Sequence, residues 1–224
     1  MTAPTQHQQS GGTQKRRYLP SPERKEEILK AAFEEFSSRG FLATSLERIA
    51  SRAGLSKSGI YAHYKSKHDV FEDVLLTTLL PDDSRIPDLD TERAEHLPQL
   101  LDRYLDRRYA SLSTPKAIAA FRLLIVESGR TPELVRRCTQ KLVERSLTGD
   151  SDFIQACIKH QLVRINIDTD AYLLSNAPAA LWLMLLTLYG DKASPVPLAQ
   201  VKALHKKLLM EQLQPDTRPA IPVA

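Results

Sequence analysis

Residues 41–70, FLATSLERIASRAGLSKSGIYAHYKSKHDV, carry side chains suited to a polyanion at spacings that short helices would bring together. Lys57, Ser58 and Gly59 stand at the leading end of one such helix, and Tyr61 and His63 fall on its outer face, away from Ile60. Ammonium, hydroxyl, phenol and imidazole groups donate hydrogen bonds to phosphate oxygens and base edges. A short helix with small residues at its start can enter a major groove closely. Gly59 permits that approach and reads nothing by hydrogen bonding. Lys67 falls in the first turn of the next helix, where it adds charge to amides that already favour a phosphate. Thr44 and Ser45 stand in the same relation to the helix before it. Tyr64 lies near the hinge as a packing residue with an edge toward phosphate. The expected chemistry is binding of duplex DNA, with most contacts positioning the protein on the backbone and few reading sequence. His63 has no partner four residues on and no nearby cysteine, so no metal site is expected.

The elements that must hold these residues announce themselves by their caps. Thr44-Ser45-Leu46-Glu47 has the form of a capping box, with Leu46, Ile49 and Ala50 on one face after it. Gly54 supplies the left-handed turn that a tight helix–helix joint needs, and Leu55 plugs the angle. Ser56 caps a helix from Lys57 to about Tyr64. Ser66-Lys67-His68-Asp69 opens another, with Val70, Phe71, Val74 and Leu75 apolar. Upstream, Ser21-Pro22 starts a helix to about Arg39 whose buried stripe is Ile28, Leu29, Ala32, Phe33 and Phe36. Gly40 ends it and lets Phe41 fold back.

Over roughly residues 24–78 the chain resembles the TetR family of bacterial transcription regulators. The resemblance rests on AFEEFSSRGF, on Thr44-Ser45, on Ile49-Ala50 with Ala53-Gly54-Leu55-Ser56, and on the run from Ser56 to Lys67. It implies an all-α homodimer: a three-helix DNA-binding domain followed by a larger helical domain that binds an inducer and dimerises. Two positions depart from the family pattern. Gly59 stands where Thr or another side chain is frequent, and Lys65 stands where Pro is common. The first removes a direct base contact; the second adds a candidate phosphate contact.

Composition agrees with this plan. The 224 residues are 42% hydrophobic and 26% charged, with only eight glycines, as in a soluble helical protein. The net charge of +4 is uneven: residues 1–68 hold 12 Lys/Arg against 6 Asp/Glu, whereas residues 69–224 hold 19 against 21. The nucleic-acid footprint belongs at the N-terminal end. Cys138 and Cys157 fit no zinc spacing and read as reduced core thiols of a cytoplasmic protein, with redox sensing as the alternative. The N-terminus has no apolar run, so no signal peptide is expected.

The expected division is a disordered arm over residues 1–20, a helix-turn-helix domain over 21–68, a helical domain over 69–213 with a linker at 81–91, and a loose tail over 214–224. Lys15-Arg16-Arg17 make the arm either a solubilising tail or a strand reaching for DNA. About five helices follow the linker, giving about nine in all: 92–112, 115–129, 132–161 with a break near Thr148-Gly149-Asp150, 169–189 and 197–213. The stretch 173–189 is short for a membrane span and contains Ser175, Asn176 and Pro178. A buried helix kinked at Pro178 is expected instead, and no membrane partner. With the last helix it would form the dimer interface.

Candidate ligand-binding residues are the polar ones among apolar neighbours: Tyr104, Arg122, Glu127, His160, Tyr172, Asn176 and Trp182, with Arg122 and Glu127 also able to pair. The apolar setting suggests a hydrophobic or amphipathic inducer. No catalytic triad, carboxylate pair, phosphate loop or cofactor motif is present, so no enzyme is expected. The expected function is a homodimeric repressor on a palindromic operator, released by a small molecule. The alternative is a DNA-binding regulator, repressing or activating, that answers to a protein partner instead.

Overall fold

The computed structural model describes residues 21–81, 96–190 and 195–214, and among these ten α-helices and no strands occur. The arm, the linker from residue 82 and the tail from residue 215 lie outside the described residues.

Four helices make the N-terminal half: α1 Ser21–Arg39, α2 Leu46–Arg52, α3 Lys57–Tyr61 and α4 Lys67–Leu79. Ile28, Ala32 and Phe36 of α1 are fully buried. Gly40 takes φ +75° and lets the chain reverse. Phe41 then stacks on Phe36 at 5.9 Å and meets Phe71 of α4 edge-on at 5.2 Å. Three rings thus tie α1, its turn and α4 together.

The cap of α2 is Ser45, one residue later than the sequence pattern suggests. Ser45 is extended and accepts from the Arg48 N–H at 3.3 Å. Thr44 is buried, and its hydroxyl donates to the Gly40 carbonyl at 2.9 Å. Glu47 is therefore too early in the helix to close a reciprocal box. The other two caps form as expected: Ser56 accepts from Gly59 N–H and Ser66 from Asp69 N–H. Gly54, at φ +67°, makes the turn between α2 and α3. The third helix ends at Tyr61, and the amides of His63 and Tyr64 both donate back to the Ile60 carbonyl.

The C-terminal half holds α5 Leu97–Leu112, α6 Pro115–Ser128, α7 Pro132–Lys159, α8 Thr169–Ser175, α9 Ala177–Tyr189 and α10 Leu198–Leu213. The expected break near residue 149 does not occur: α7 is helical throughout. One glycine costs a helix only about 1 kcal/mol, and Leu142, Leu147, Ile154 and Ile158 pack against the core on either side of it. The apolar stretch 169–189 is two helices, not one kinked helix, which adds a helix to the expected count. Pro178 sits in the first turn of α9, where its missing N–H costs nothing, and the chain restarts at Asn176.

Helix α4 serves both halves. Phe71 faces α1, while its buried Glu72 pairs with Arg137 at 3.4 Å and with Lys141, both on α7. Tyr104 and Tyr109 of α5 are buried against His205 of α10. Both cysteines are buried and free, and burial pushes their thiols up, to about 11 for Cys138 and about 12 for Cys157.

Candidate nucleic-acid interface

The turn between α2 and α3 leaves one face of α3 open. Ile60 is fully buried, so Lys57, Ser58, Tyr61 and His63 are turned to solvent, Tyr61 at 45% exposure. Lys57 Nζ lies 3.0 Å from Glu47 Oε1 and 6.0 Å from the Tyr61 ring centre. That carboxylate raises the Lys57 ammonium above its ordinary value and is itself lowered. Both partners are exposed, so a phosphate can take the place of Glu47 without uncovering a buried charge. The Ser58 hydroxyl lies 3.1 Å from that of Ser56. A Cβ on Gly59 would meet the Ser56 hydroxyl at 3.3 Å and Leu55 at 3.5 Å. The glycine thus leaves room for the cap of its own helix.

Four of the expected DNA contacts, Lys67, Thr44, Tyr64 and Ser45, are engaged inside the protein. Lys67 Nζ donates to the carbonyls of Phe41 and Thr44, each at 2.7 Å, and lies 4.3 Å from the Phe41 ring centre. Desolvation lowers its ammonium from the ordinary value. In this structure Lys67 is a staple on the α1–α2 turn. Thr44 is spent on the same turn. Tyr64 is 6% exposed and donates its hydroxyl to Asp73 at 2.7 Å, which leaves it a packing residue; burial and that carboxylate push its phenol above the ordinary range. Ser45 caps α2.

What aims α2 is a carboxylate that the sequence reading did not single out. Glu35 is 3% exposed and accepts from Arg52 Nε at 2.7 Å and Arg48 Nε at 3.2 Å, with Arg39 Nε at 3.3 Å. The hydrogen bond from Arg52, then that from Arg48, holds its carboxyl below the ordinary value against the cost of burial. The signal was available: Glu35 follows Ile28 and Ala32 at helical spacing, on the inward stripe. Arg48 and Arg52 remain half-exposed and add positive charge beside α3.

The C-terminal half contains a cleft of about 310 Å³ between α4, α5, α6, α7 and α9, lined mainly by leucines with Phe121, Val143, Asn176 and Arg108. Of the expected ligand residues, only Asn176 lines it. Tyr104 is buried and donates to Asn176 Oδ1 at 3.2 Å. Trp182 donates to Ser113 Oγ at 3.0 Å. Arg122 is exposed and reaches the Thr187 carbonyl, not Glu127. His160 is exposed at the end of α7. Tyr172 lines a smaller cleft of about 230 Å³ further along α7, with Ile154, Ile158 and Ile167. Glu127 is fully buried elsewhere. Its Oε1 accepts from the Phe41 N–H at 2.9 Å, and its Oε2 lies 3.3 Å from the Thr131 hydroxyl. It links α6 to the α1–α2 turn and lines neither of these clefts. No cluster of metal-ligating side chains occurs among the described residues.

A capped, two-helix head with a solvent-facing second helix has the geometry of a helix-turn-helix. Residues 28–74 match the family described as bacterial regulatory proteins, tetR family. Over those residues the chain is similar to that family's DNA-binding part. It is 41% identical over 66 residues to the transcriptional activator FasR of Mycolicibacterium smegmatis, covering 30% of each chain. It is 40% identical over 52 residues to the repressor KstR2 of the same organism, 23% of this chain and 25% of that one. The aligned stretch thus spans less than a third of either relative. The solved structure of the flavonoid-responsive regulator FrrA superposes with a TM-score of 0.62 at 22% identity, over 88% of this chain and all of that one. That likeness shows the fold.

Proposed function

We propose that this protein is a cytoplasmic, homodimeric transcriptional repressor that holds a palindromic operator and releases it when a small molecule binds the C-terminal half. The carrying observation is the outer face of α3, where Lys57, Ser58, Tyr61 and His63 are exposed while Ile60 anchors the helix from behind. Each subunit inserts that face into a major groove, and the two-fold axis of the dimer requires half-sites about one helical turn apart. Lys65, exposed just beyond α3, adds a backbone contact. The cleft beneath α6 supports the ligand-responsive part, since a ligand seated there touches the helix whose Glu127 holds the α1–α2 turn. A ligand shifts the equilibrium only by its differential affinity for the two arrangements.

The test is selection of bound duplexes from a random pool at moderate salt. Enrichment of a palindrome supports the reading; binding without enrichment overturns it. FasR is named an activator and KstR2 a repressor, so the sign is measured with the selected site upstream of a reporter. Repression lowers output in the presence of the protein, and a rise reverses the sign.

A further inference from the structure

Among the described residues, the larger cleft holds one charge and no countercharge. Arg108 of α5 lines it, and no Asp or Glu does. The guanidinium Nε is shielded from solvent and has no hydrogen-bond partner, and among the described residues no carboxylate pairs with this side chain. Its neighbours make the position costly. Leu101, Leu105 and Leu112 continue the same inward stripe of α5, and each is buried. The field of Arg108 also reaches the buried His205 and disfavours its protonation. A partly buried cation without a partner is unfavourable unless something supplies the missing anion. The rest of the described lining is uncharged: Leu79, Leu124, Leu142 and Leu183 furnish apolar walls, while Asn176, Thr139 and Ser146 add neutral polar groups. Its volume of about 310 Å³ is at the lower end of the range for small-molecule sites.

We infer that the effector is an amphiphile with a single anionic head, a carboxylate that sits on Arg108 while its apolar body fills the cleft between α4, α6, α7 and α9. A guanidinium presents paired donors that match a carboxylate, and a dry, apolar surround strengthens the contact. This deepens the proposed ligand response and rests on it for its biological meaning, but the ligand chemistry is testable alone.

The probes are decanoate and decanol, matched in length and kept below their aggregation limits. Their binding to the full chain is measured by calorimetry. Decanoate is expected to bind at least tenfold tighter than decanol. Arg108→Met should erase the difference while retaining decanol affinity, and Arg108→Lys should restore part of it. Val143→Trp, at a half-exposed position on the wall, should weaken both probes. Circular dichroism checks that each variant is folded, and the lysine and tryptophan variants decide the matter if the methionine variant is not. Equal binding of acid and alcohol, a preference that survives Arg108→Met, binding indifferent to Val143→Trp, or no binding of either probe overturns the inference. The selected duplex separates this from the wider reading. Decanoate that binds through Arg108 yet leaves the DNA complex intact upholds the ligand class and removes the inducer role. Release of DNA by decanol as readily as by decanoate does the reverse.

Discussion

Lys67 places its ammonium on the carbonyls of Phe41 and Thr44, and that geometry separates two roles that charge alone leaves merged. A lysine bound to phosphate contributes one released counterion, so its loss flattens the salt dependence of DNA binding by about 0.9 per phosphate. A lysine that staples a turn contributes to stability. Lys67→Met is therefore expected to lower stability by about 1.5–3 kcal/mol, the range for a hydrogen bond to a charged group, read by thermal melting. The salt slope should be unchanged. Tyr61 is the contrasting case, at 45% exposure with its ring turned outward. Tyr61→Ala should weaken duplex binding by roughly fivefold to thirtyfold, about 1–2 kcal/mol for one lost contact, and leave the melt where it was. A salt slope reduced by Lys67→Met, or a variant at Tyr61 that melts early, would exchange the two assignments. The outward residues of α3 were legible because Ile60 fixes the inward direction. Thr44 and Lys67 were not, because a hydroxyl or ammonium in a motif gives no sign of whether a backbone carbonyl or solvent awaits it.

At the scale of elements, the helix starts were readable and the buried charges were not. Proline in the first turn and serine caps place α3, α4 and α6 to within a residue, because the orphan amides of a helix start need a partner that the local sequence must provide. Glu35, Glu72, Arg108 and Glu127 occupy inward stripes of α1, α4, α5 and α6, where the pattern leads one to expect an apolar side chain. Glu35, Glu72 and Glu127 meet groups on other elements, Arg108 meets no carboxylate among the described residues, and periodicity carries no information about either outcome. Glu127 shows what such a residue does. It is 86 residues from Phe41 in sequence, yet its carboxylate takes the Phe41 N–H at 2.9 Å. It thereby fixes the end of α6 to the turn that orients the reading head. Glu127→Ala should leave that amide buried without a partner, at a cost of about 1–3 kcal/mol. Hydrogen exchange should then quicken selectively in residues 40–45. Gly40→Ala should act in the same direction, since its φ is +75° and a Cβ would stand 2.9 Å from Glu127 Oε1. Exchange spread evenly over the chain would show that Glu127 is merely one of many packing groups.

The whole molecule adds two properties that no single helix carries. The first is acid lability. His205 is fully buried beside Tyr109 and Tyr104, and desolvation, with Arg108 second, lowers its imidazole from 6.5 to about 4. The unfolded chain takes up a proton below 6.5 that the folded chain refuses until about 4. Stability therefore falls as pH falls through that window, by at most about 1.4 kcal/mol per pH unit. The lowered carboxyl of Glu35 adds its own loss only below its ordinary value of 4.5. Urea unfolding between pH 7 and pH 5 should show the slope, and His205→Gln should reduce it; an unchanged slope would place the lability elsewhere. The second property is an unfinished surface. Leu181, Met184 and Leu188 recur along α9 at helical spacing and are 42%, 41% and 68% exposed, with Leu174 of α8 at 71% and Leu204 of α10 at 51%. A soluble chain seldom leaves so many large apolar side chains uncovered on neighbouring helices without a partner to cover them. The self-association proposed for the last two helices would do so, and it would also set the distance between two copies of α3. Leu188→Arg places a charge on that surface without touching the core, so the variant should fold. Light scattering should then give the mass of one chain instead of two, and affinity for a palindrome should fall toward that for a single half-site. An intact dimer in both Leu188→Arg and Leu204→Arg would mean that the spacing of the reading heads is set by a different face.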